Sequence, residues 1–224
     1  MSVLLLRLEG PLQAWSAQGK LGVRDTEREP TKSGVLGMLG AALGMPRDDD
    51  ATLATLAALT MAVRVDRAGS LLRDYHTAGG GQFRGGKYSV FDTKDCVPTT
   101  RFYLQDAIFT AALEGEASLV ARLADALHAP RYPLFLGRRA CPPSAPPFLG
   151  VVEATARDAV RTACLHERRD PGALRLVIES NGAAGDPRYD VPLSFAQSER
   201  RYGRRYVITE WHTPESPREE AQPS

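Results

Sequence analysis

The sequence contains little cysteine and no long apolar run. Its 224 residues include three cysteines, Cys96, Cys141 and Cys164, and no C-x-x-C pair. Their spacing argues against a structural zinc site and favours reduced thiols, which are typical of cytosolic proteins. The apolar run at residues 3–6 is followed by Arg7 and is too short for a signal peptide or a membrane span. We therefore expect a soluble cytoplasmic protein that contacts no membrane and holds no metal.

An excess of one charge and the common catalytic motifs are missing as well. The 28 Lys and Arg residues are balanced by 27 Asp and Glu residues, which gives a formal net charge of +1. Composition alone therefore does not indicate nucleic-acid binding, which must be argued from local clusters. The sequence has no G-x-S-x-G nucleophile motif and no pair of acids spaced for two-metal chemistry. We expect no cofactor, and we interpret the acidic run 48–50 as a helix start, where carboxylates interact favourably with the helix dipole.

Hydrophobic periodicity predicts an α+β protein. Residues 1–154 follow the order strand, helix, strand, strand, helix, strand, which is the βαββαβ pattern of a ferredoxin-like fold. "RFYLQDAIFTAAL" is predicted as one of these strands. Residues 155–211 are predicted to form a smaller β-rich C-terminal part without a strong helix. The polar, Pro-rich residues 212–224 are predicted to be disordered.

The stretch "PTKSGVLGMLGAALG", residues 30–44, superficially resembles a phosphate-binding loop. A P-loop has its glycines before the lysine, whereas Lys32 and Ser33 precede them here, so a nucleotide site is poorly supported. We predict a helix capped by Thr31 or Ser33 and ending near residue 43. Three glycines, at positions 37, 40 and 44, share one helical face and are predicted to let the helix approach its sheet closely. The helix start, with its amide groups and Lys32, suits a phosphate of a nucleic-acid backbone.

Several basic and aromatic residues are candidates for contacting single-stranded RNA. Arg138 and Arg139 form a basic pair in a Pro-rich loop, and arginine binds phosphate bidentately. Trp15, with Gln13, lies in a predicted loop, where an aromatic ring stacks on an unpaired base or, as an alternative, closes the core. The Gly-rich stretch 78–100 is predicted to be a long loop that interleaves charged and aromatic side chains, a pattern suited to flexible RNA: Phe83, Arg84, Lys87 and Tyr88. The basic run Arg200, Arg201, Arg204 and Arg205 is either an RNA contact or one exposed face of a strand.

"RDYHT" raises a catalytic alternative. His76 as a general base and Arg73 as a stabiliser of developing charge would suit a metal-independent ribonuclease. No second histidine or lysine is nearby in the sequence. A lone histidine is more often structural or a hydrogen-bond donor, so we favour an RNA or subunit contact by Tyr75 and His76.

Long blocks of the sequence resemble one known family. The blocks "LRLEGPLQAWSAQGKLGVRDTEREPTKSGVLGMLGAALGMPRDD", "LRDYHT", "FYLQDAIFTAAL", "PRYPLFLGRRACPPSAPPFLG" and "PLSFAQSERRYGRRYVITEW" occur in the same order along most of the chain. They resemble the CasD family of the RAMP superfamily, which are the subunits of type I-E CRISPR Cascade complexes that hold the 5′ handle of the guide RNA (crRNA).

The resemblance implies a fold, a function and partners. It implies a ferredoxin-like RAMP domain over residues 1–154 with a protruding thumb at 78–100, and a β-rich subdomain over 155–211. It implies a non-catalytic subunit of the antiviral ribonucleoprotein, which contacts the crRNA 5′ handle, the backbone subunit CasC and the large subunit CasA, and contacts target DNA only indirectly. In the family the thumb reaches a neighbouring backbone subunit and folds over the RNA. A separate subunit cuts the repeat RNA, although related proteins of other subtypes cut it themselves, so an endoribonuclease that uses His76 and Arg73 is the alternative.

The candidate RNA-binding residues that these arguments give together are Gln13, Trp15, Lys32, Ser33, Tyr75, His76, Arg84, Lys87, Arg101, Arg138 and Arg139.

Overall fold

The computed structural model describes residues 1–16, 22–79, 81–84, 87–90, 96–180, 182 and 185–214, and the side chains of residues 78–96 are outside this description. The described helices are α1 (Lys32–Leu43), α2 (Asp50–Ala57), α3 (Ala117–His128) and α4 (Ala156–Thr162). The described strands are β1 (Ser2–Glu9), β2 (Leu12–Gln13), β3 (Val23–Arg24), β4 (Thr60–Arg67), β5 (Ser70–Gly79), β6 (Gly81–Arg84), β7 (Lys87–Val90), β8 (Cys96–Gln105), β9 (Ile108–Gly115), β10 (Phe148–Glu153), β11 (Leu174–Ser180), β12 (Asp186–Ser194) and β13 (Arg201–His212).

A seven-stranded antiparallel sheet organises the chain, in the order β10-β1-β9-β4-β11-β13-β12. Helices α1 and α2 connect β1 to β4, and α3 connects β9 to β10. The first four strands of the sheet therefore form the βαββαβ unit in the spatial order expected of it. The predicted α+β, ferredoxin-like fold is confirmed.

The two faces of the sheet carry separate cores because successive strand residues point to opposite sides. On β1, Leu4 and Leu6 are buried with residues of α1 and α3. Val3 and Leu5, one position out of phase, are buried with residues of α4. Strand β1 thus lies between the two cores, where a strand buried on both faces needs apolar residues at nearly every position.

The C-terminal strands continue the same sheet. Strand β11 pairs with β4 on one side and with β13 on the other. The predicted β-rich character of this part is confirmed, and its one described helix is the short α4, which Thr155 caps with its side-chain oxygen. The division at residue 154 into a ferredoxin-like domain and a β-rich subdomain stays a prediction. Residues 215–224 of the predicted disordered tail lie outside the described residues.

A second, smaller sheet is formed by β2, β8 and β3, with β5 paired along the whole of β8. The strand predicted from "RFYLQDAIFTAAL" is two strands in different sheets, because the chain turns at Asp106, whose φ is 56°. The prediction of a long loop at 78–100 is also wrong for the residues of this stretch that the structure describes. Strands β5 and β8 extend into this stretch, and β6 and β7 pair with each other within it.

Within the part of the chain that the structure describes, no helix has the length and apolar character needed to cross a bilayer. The described residues also contain no group of three or more His, Cys, Asp or Glu side chains that could hold a metal ion.

Candidate nucleic-acid interface

Strand β5 displays basic and aromatic side chains on both of its faces. Arg73 and Tyr75 point to one side, opposite Phe102 and Thr100 of β8. Both side chains are exposed, and Tyr75 is exposed to 71%. An aromatic ring beside a guanidinium group at the surface of a sheet can stack on a base and bind the adjacent phosphate.

The opposite face of β5 carries Asp74 and His76. Asp74 lies directly across from Arg101 of β8, and its carboxylate is 3.9 Å from Nδ1 of His76. Nε of Arg101 donates a hydrogen bond to the hydroxyl of Thr99 at 3.2 Å. His76 and Arg101 therefore share one partly exposed face, on which they can donate hydrogen bonds to RNA. His76 and Arg73, by contrast, are separated by the strand itself, so they cannot act together on one phosphate without a rearrangement of β5.

Arg138 holds three separate segments together. Its guanidinium donates hydrogen bonds to the carbonyl oxygens of Phe102 at 2.9 Å, Arg24 at 2.8 Å and Asp25 at 2.9 Å. It also lies over the ring of Tyr103, 4.9 Å from the centroid. Arg138 thus fastens β3 and the following residue to β8, and its contact with RNA stays a prediction. Its neighbour Arg139 is exposed.

Replacing Arg138 by methionine is expected to lower the free energy of unfolding by about 1–3 kcal/mol, because hydrogen bonds from a charged donor to three carbonyl groups are lost. Replacing Arg139 by methionine should change it by less than about 0.5 kcal/mol, as is usual for exposed positions. Urea unfolding followed by circular dichroism measures both values. Equal stability of the two variants would contradict the structural assignment of Arg138.

Gln13, at the end of β2, and Trp15 form a buried unit. The amide nitrogen of Gln13 donates to the carbonyl oxygens of Leu8 and Ala107, and its oxygen accepts from the indole nitrogen of Trp15 at 3.0 Å. Both side chains are 0% exposed. Every polar group of this pair is thereby satisfied inside the protein, as buried polar groups require. Direct RNA contact by Gln13 or Trp15 stays a prediction that this geometry does not favour.

The start of α1 is filled by carboxylates of the C-terminal strands. Thr31 caps the helix, and the Lys32 backbone N–H donates to Asp190 at 2.7 Å. The Lys32 ammonium group donates to both oxygens of Glu179, at 2.8 and 3.0 Å. Burial lowers the pKa of Lys32, and the pairing with Glu179 offsets this only in part. The anion at this helix terminus is therefore the chain's own Asp190, as the helix dipole favours.

RNA contact by Lys32 and Ser33 remains a prediction as well. Both residues are buried, with exposures of 2% and 7%. A phosphate would have to displace Asp190 and Glu179 before it could reach the helix start.

The glycines of α1 lie next to different parts of the chain. The prediction that they let the helix pack closely against the sheet is therefore wrong. A Cβ atom on Gly34 would lie 2.7 Å from the ring of Trp15. At Gly40 the nearest atom belongs to Met45, and at Gly37 the nearest belongs to Phe195 at an ordinary 3.8 Å. Gly44 has a φ of 74° and ends the helix, which confirms the predicted C-terminus.

The basic run at residues 200–205 is divided between core and surface. Arg205 is buried and donates to both oxygens of Asp190, at 2.7 and 2.8 Å. Arg204 is exposed and lies over the ring of Tyr206, 5.1 Å from its centroid. Arg200 and Arg201 are exposed. The side chains of Arg84 and Lys87, which were predicted to contact RNA, lie outside the described residues.

Sequence reasoning missed a cleft of about 600 Å³ next to the second sheet. Val23, residues 25–27 and residues 187–190 are among the residues that line it. Its partly buried Glu27 and exposed Tyr189 are far apart in the sequence, so no local pattern predicted that they meet.

Comparison with known proteins identifies the family. A family model described as CRISPR-associated protein (Cas_Cas5) matches residues 3–208. The CRISPR system Cascade subunit CasD of Escherichia coli strain K12 is 43% identical over 168 residues, which cover 69% of this chain and 73% of that protein. A crystal structure of a Cas protein is 38% identical with a TM-score of 0.72, and the match covers 95% of this chain and 96% of that one. A chain of a CRISPR RNA-guided surveillance complex is 36% identical with a TM-score of 0.76, covering 94% of this chain and 90% of that one. The resemblance to CasD found in the sequence is confirmed, and the chain belongs to the Cas5 family of CRISPR-associated proteins.

Proposed function

We propose that this protein is a non-catalytic subunit of a type I-E CRISPR Cascade complex, in which it binds the 5′ handle of the crRNA. The observation that carries the proposal is the β5–β8 strand pair, which displays Arg73 and Tyr75 on one face and His76 and Arg101 on the other. Exposed aromatic rings and guanidinium groups on a sheet are suited to an unpaired strand of RNA. The similarity to CasD, which is named as a Cascade subunit, supports the same reading.

The proposal includes the partners and the place of action. The protein would act in the cytoplasm, where it would contact the backbone subunit CasC and the large subunit CasA and meet target DNA only through the assembled complex. The β6–β7 pair, with the ends of β5 and β8, would be the thumb that reaches the neighbouring backbone subunit.

Handle binding should depend on Tyr75 and Arg101. Loss of a stacking ring costs about 1–3 kcal/mol per base, so Tyr75→Ala should weaken the binding of a labelled 5′-handle RNA about tenfold. Arg101→Glu should weaken binding and also reduce its dependence on salt, because one cationic contact is replaced by a repulsive charge. Fluorescence anisotropy at several salt concentrations measures both effects. Arg122→Glu, on the exposed side of α3, is the matched control and should bind normally.

The same purified protein separates this function from the endoribonuclease alternative. Labelled repeat RNA is incubated with the protein in the presence of a chelator, and we expect no specific cleavage. A specific cut that is lost in His76→Ala would overturn the non-catalytic assignment. Normal handle binding by both Tyr75→Ala and Arg101→Glu would reject the proposed RNA surface.

A further inference from the structure

One wall of the cleft beside the second sheet is held by hydrogen bonds within the chain. The hydroxyl of Thr26 accepts a hydrogen bond from the Trp15 backbone N–H and donates one to the Glu27 carbonyl oxygen. The Glu27 N–H donates to the Trp15 carbonyl oxygen at 2.8 Å. On the same wall, the carbonyl oxygen of Asp25 accepts a hydrogen bond from Arg138. This wall is therefore ordered before any ligand enters, which lowers the entropic cost of binding.

Among the described residues, the carboxylates of Asp25, Glu27 and Asp190 and the guanidinium group of Arg188 are the charged groups that line the cleft. Asp190 and the nearby Glu29 are already neutralised, the first by Arg205 and the second by Arg175 and Arg188. Asp25 and Glu27 line the cleft beside them. Burial is the main cause that raises the pKa of Glu27, and the charge of Arg188 opposes it. The Glu27 carboxylate is thus poorly solvated, and a ligand that brings N–H donors would relieve that cost.

The carboxylates of the described lining disfavour a phosphate and suit the donor edge of a nucleobase. Phosphate would be repelled by Asp25 and Glu27, whereas amino and imino groups of a base donate to carboxylates. Tyr189 lines the cleft and is exposed to 52%, so its ring is available for stacking. A volume of about 600 Å³ exceeds what the tip of a lysine or arginine side chain fills, and it falls in the range of small-molecule sites.

The cleft is continuous with the proposed RNA surface. Strand β3 pairs with β8, so that Val23 lies beside Thr100 and Arg24 beside Arg101. Because strand residues alternate, Val23 shares the face of Thr100 and Tyr75, whereas Arg24 shares the opposite face with Arg101. Val23 and Asp25 line the cleft, so an RNA strand stacked on Tyr75 would pass the mouth of the cleft.

We propose that this cleft seats one amino-bearing nucleobase of the guide RNA, held by its donor edge against Asp25 and Glu27 and stacked on Tyr189. The inference rests on the proposed function, because it assumes that the bound RNA is the crRNA 5′ handle. Guanine is the best fit, since its N1–H and N2 amino groups lie side by side and match one carboxylate. Adenine and cytosine offer one amino group on that edge. Uracil offers only its N3–H, which is flanked by two carbonyl oxygens that a carboxylate repels.

The experiment scans the handle one position at a time with the wild-type full-length chain. Each nucleotide of a synthetic handle RNA is replaced in turn by an abasic residue and by each other base, and affinity is measured by fluorescence anisotropy. One position should bind about tenfold more weakly when it is abasic or uracil than when it carries its preferred amino-bearing base. At that position alone, Glu27→Gln and Tyr189→Ala should abolish the preference. Glu167→Gln, at an exposed position outside the cleft, is the control and should retain it.

The possible results separate this proposal from the function on which it rests. Loss of all handle binding by the wild-type protein would overturn the proposed function. Normal handle binding without any such position, or with a preference that survives both substitutions, would overturn the base site alone. If Glu27→Gln binds RNA normally but no longer assembles with the partner subunits, the cleft holds a basic protein side chain and the base site is wrong. Tyr189→Ala alters a half-exposed side chain, so it tests the proposal even if Glu27→Gln does not fold.

Discussion

Replacing Asp190 by alanine should lower the free energy of unfolding by about 3–5 kcal/mol, the range for breaking a buried ion pair from one side. Asp190 is 3% exposed and accepts two hydrogen bonds from Arg205 and one from the backbone N–H of Lys32. Its removal leaves the buried Arg205 with Glu179 alone, whose oxygen is 3.5 Å away. It also leaves the first turn of α1 without its anion.

Denaturant unfolding measures this loss, and a surface ion pair provides the control. Glu199 is 3.6 Å from Arg201, and both side chains are more than half exposed, so Glu199→Ala should cost less than about 1 kcal/mol.

The pH dependence of unfolding gives an independent check. Burial raises the pKa of Asp190, but the hydrogen bonds from Arg205 and Lys32 outweigh burial and the pKa lies below its ordinary value of 3.8. The contribution of Asp190 to the free energy of unfolding is therefore complete above about pH 4, and it is lost as the pH falls through the lowered pKa. The Asp190→Ala variant should not show this loss. A variant as stable as the wild type would contradict the role given to this ion cluster.

Replacing Gly137 by alanine should be similarly damaging, with an expected loss of about 2–5 kcal/mol. A Cβ atom at this position would overlap the carbonyl oxygen of Ala14, so the backbone itself would have to move. The φ of 88° adds the cost of a left-handed conformation, about 1–2 kcal/mol, and the clash adds about 1–3 kcal/mol. The displaced loop would carry Arg138 away from the carbonyl groups that it binds.

Gly172→Ala separates the two causes. Gly172 has a similar φ of 80°, but no heavy atom among the described residues lies within 4 Å of its would-be Cβ. The Gly172→Ala variant should therefore lose only the part of the free energy of unfolding that comes from the left-handed conformation, about 1–2 kcal/mol. Thermal and denaturant unfolding of the two variants, compared side by side, give the difference. Equal losses would mean that the clash with Ala14 is relieved at little cost.

The sequence predicted those helix and strand boundaries that depend only on neighbouring residues. Thr31 and Gly44 delimit α1 because a hydroxyl cap and a left-handed glycine need only their near neighbours. Strand β5 escaped detection because the glycines beyond residue 78 suggested a loop. Once β5 is recognised, its period of two assigns Arg73 and His76 to opposite faces, and this geometry weakens the ribonuclease alternative.

The burial of candidate site residues could not be predicted, because their partners are distant in the sequence. In the sequence, Lys32 resembles an accessible phosphate ligand. In the fold, its ammonium group is paired with Glu179, which lies 147 residues later in the chain. Arg138 resembles an RNA-binding arginine, yet two of its acceptors lie more than 110 residues earlier. A basic residue in a helix start or a loop has the same local pattern whether it contacts a ligand or the protein's own backbone.

The dependence of α1 on Asp190 also has a consequence for the time course of synthesis. The two residues are 158 positions apart, so a ribosome that adds about 5–20 residues per second needs about 8–30 s to make the second after the first. During that interval the nascent chain holds a helix start whose lysine and amide groups lack the carboxylates that later bury them. Translation of the last third of the chain therefore controls when the first helix reaches its final state, and premature termination before β12 would release a product with its βαββαβ strands complete but the start of α1 unfinished.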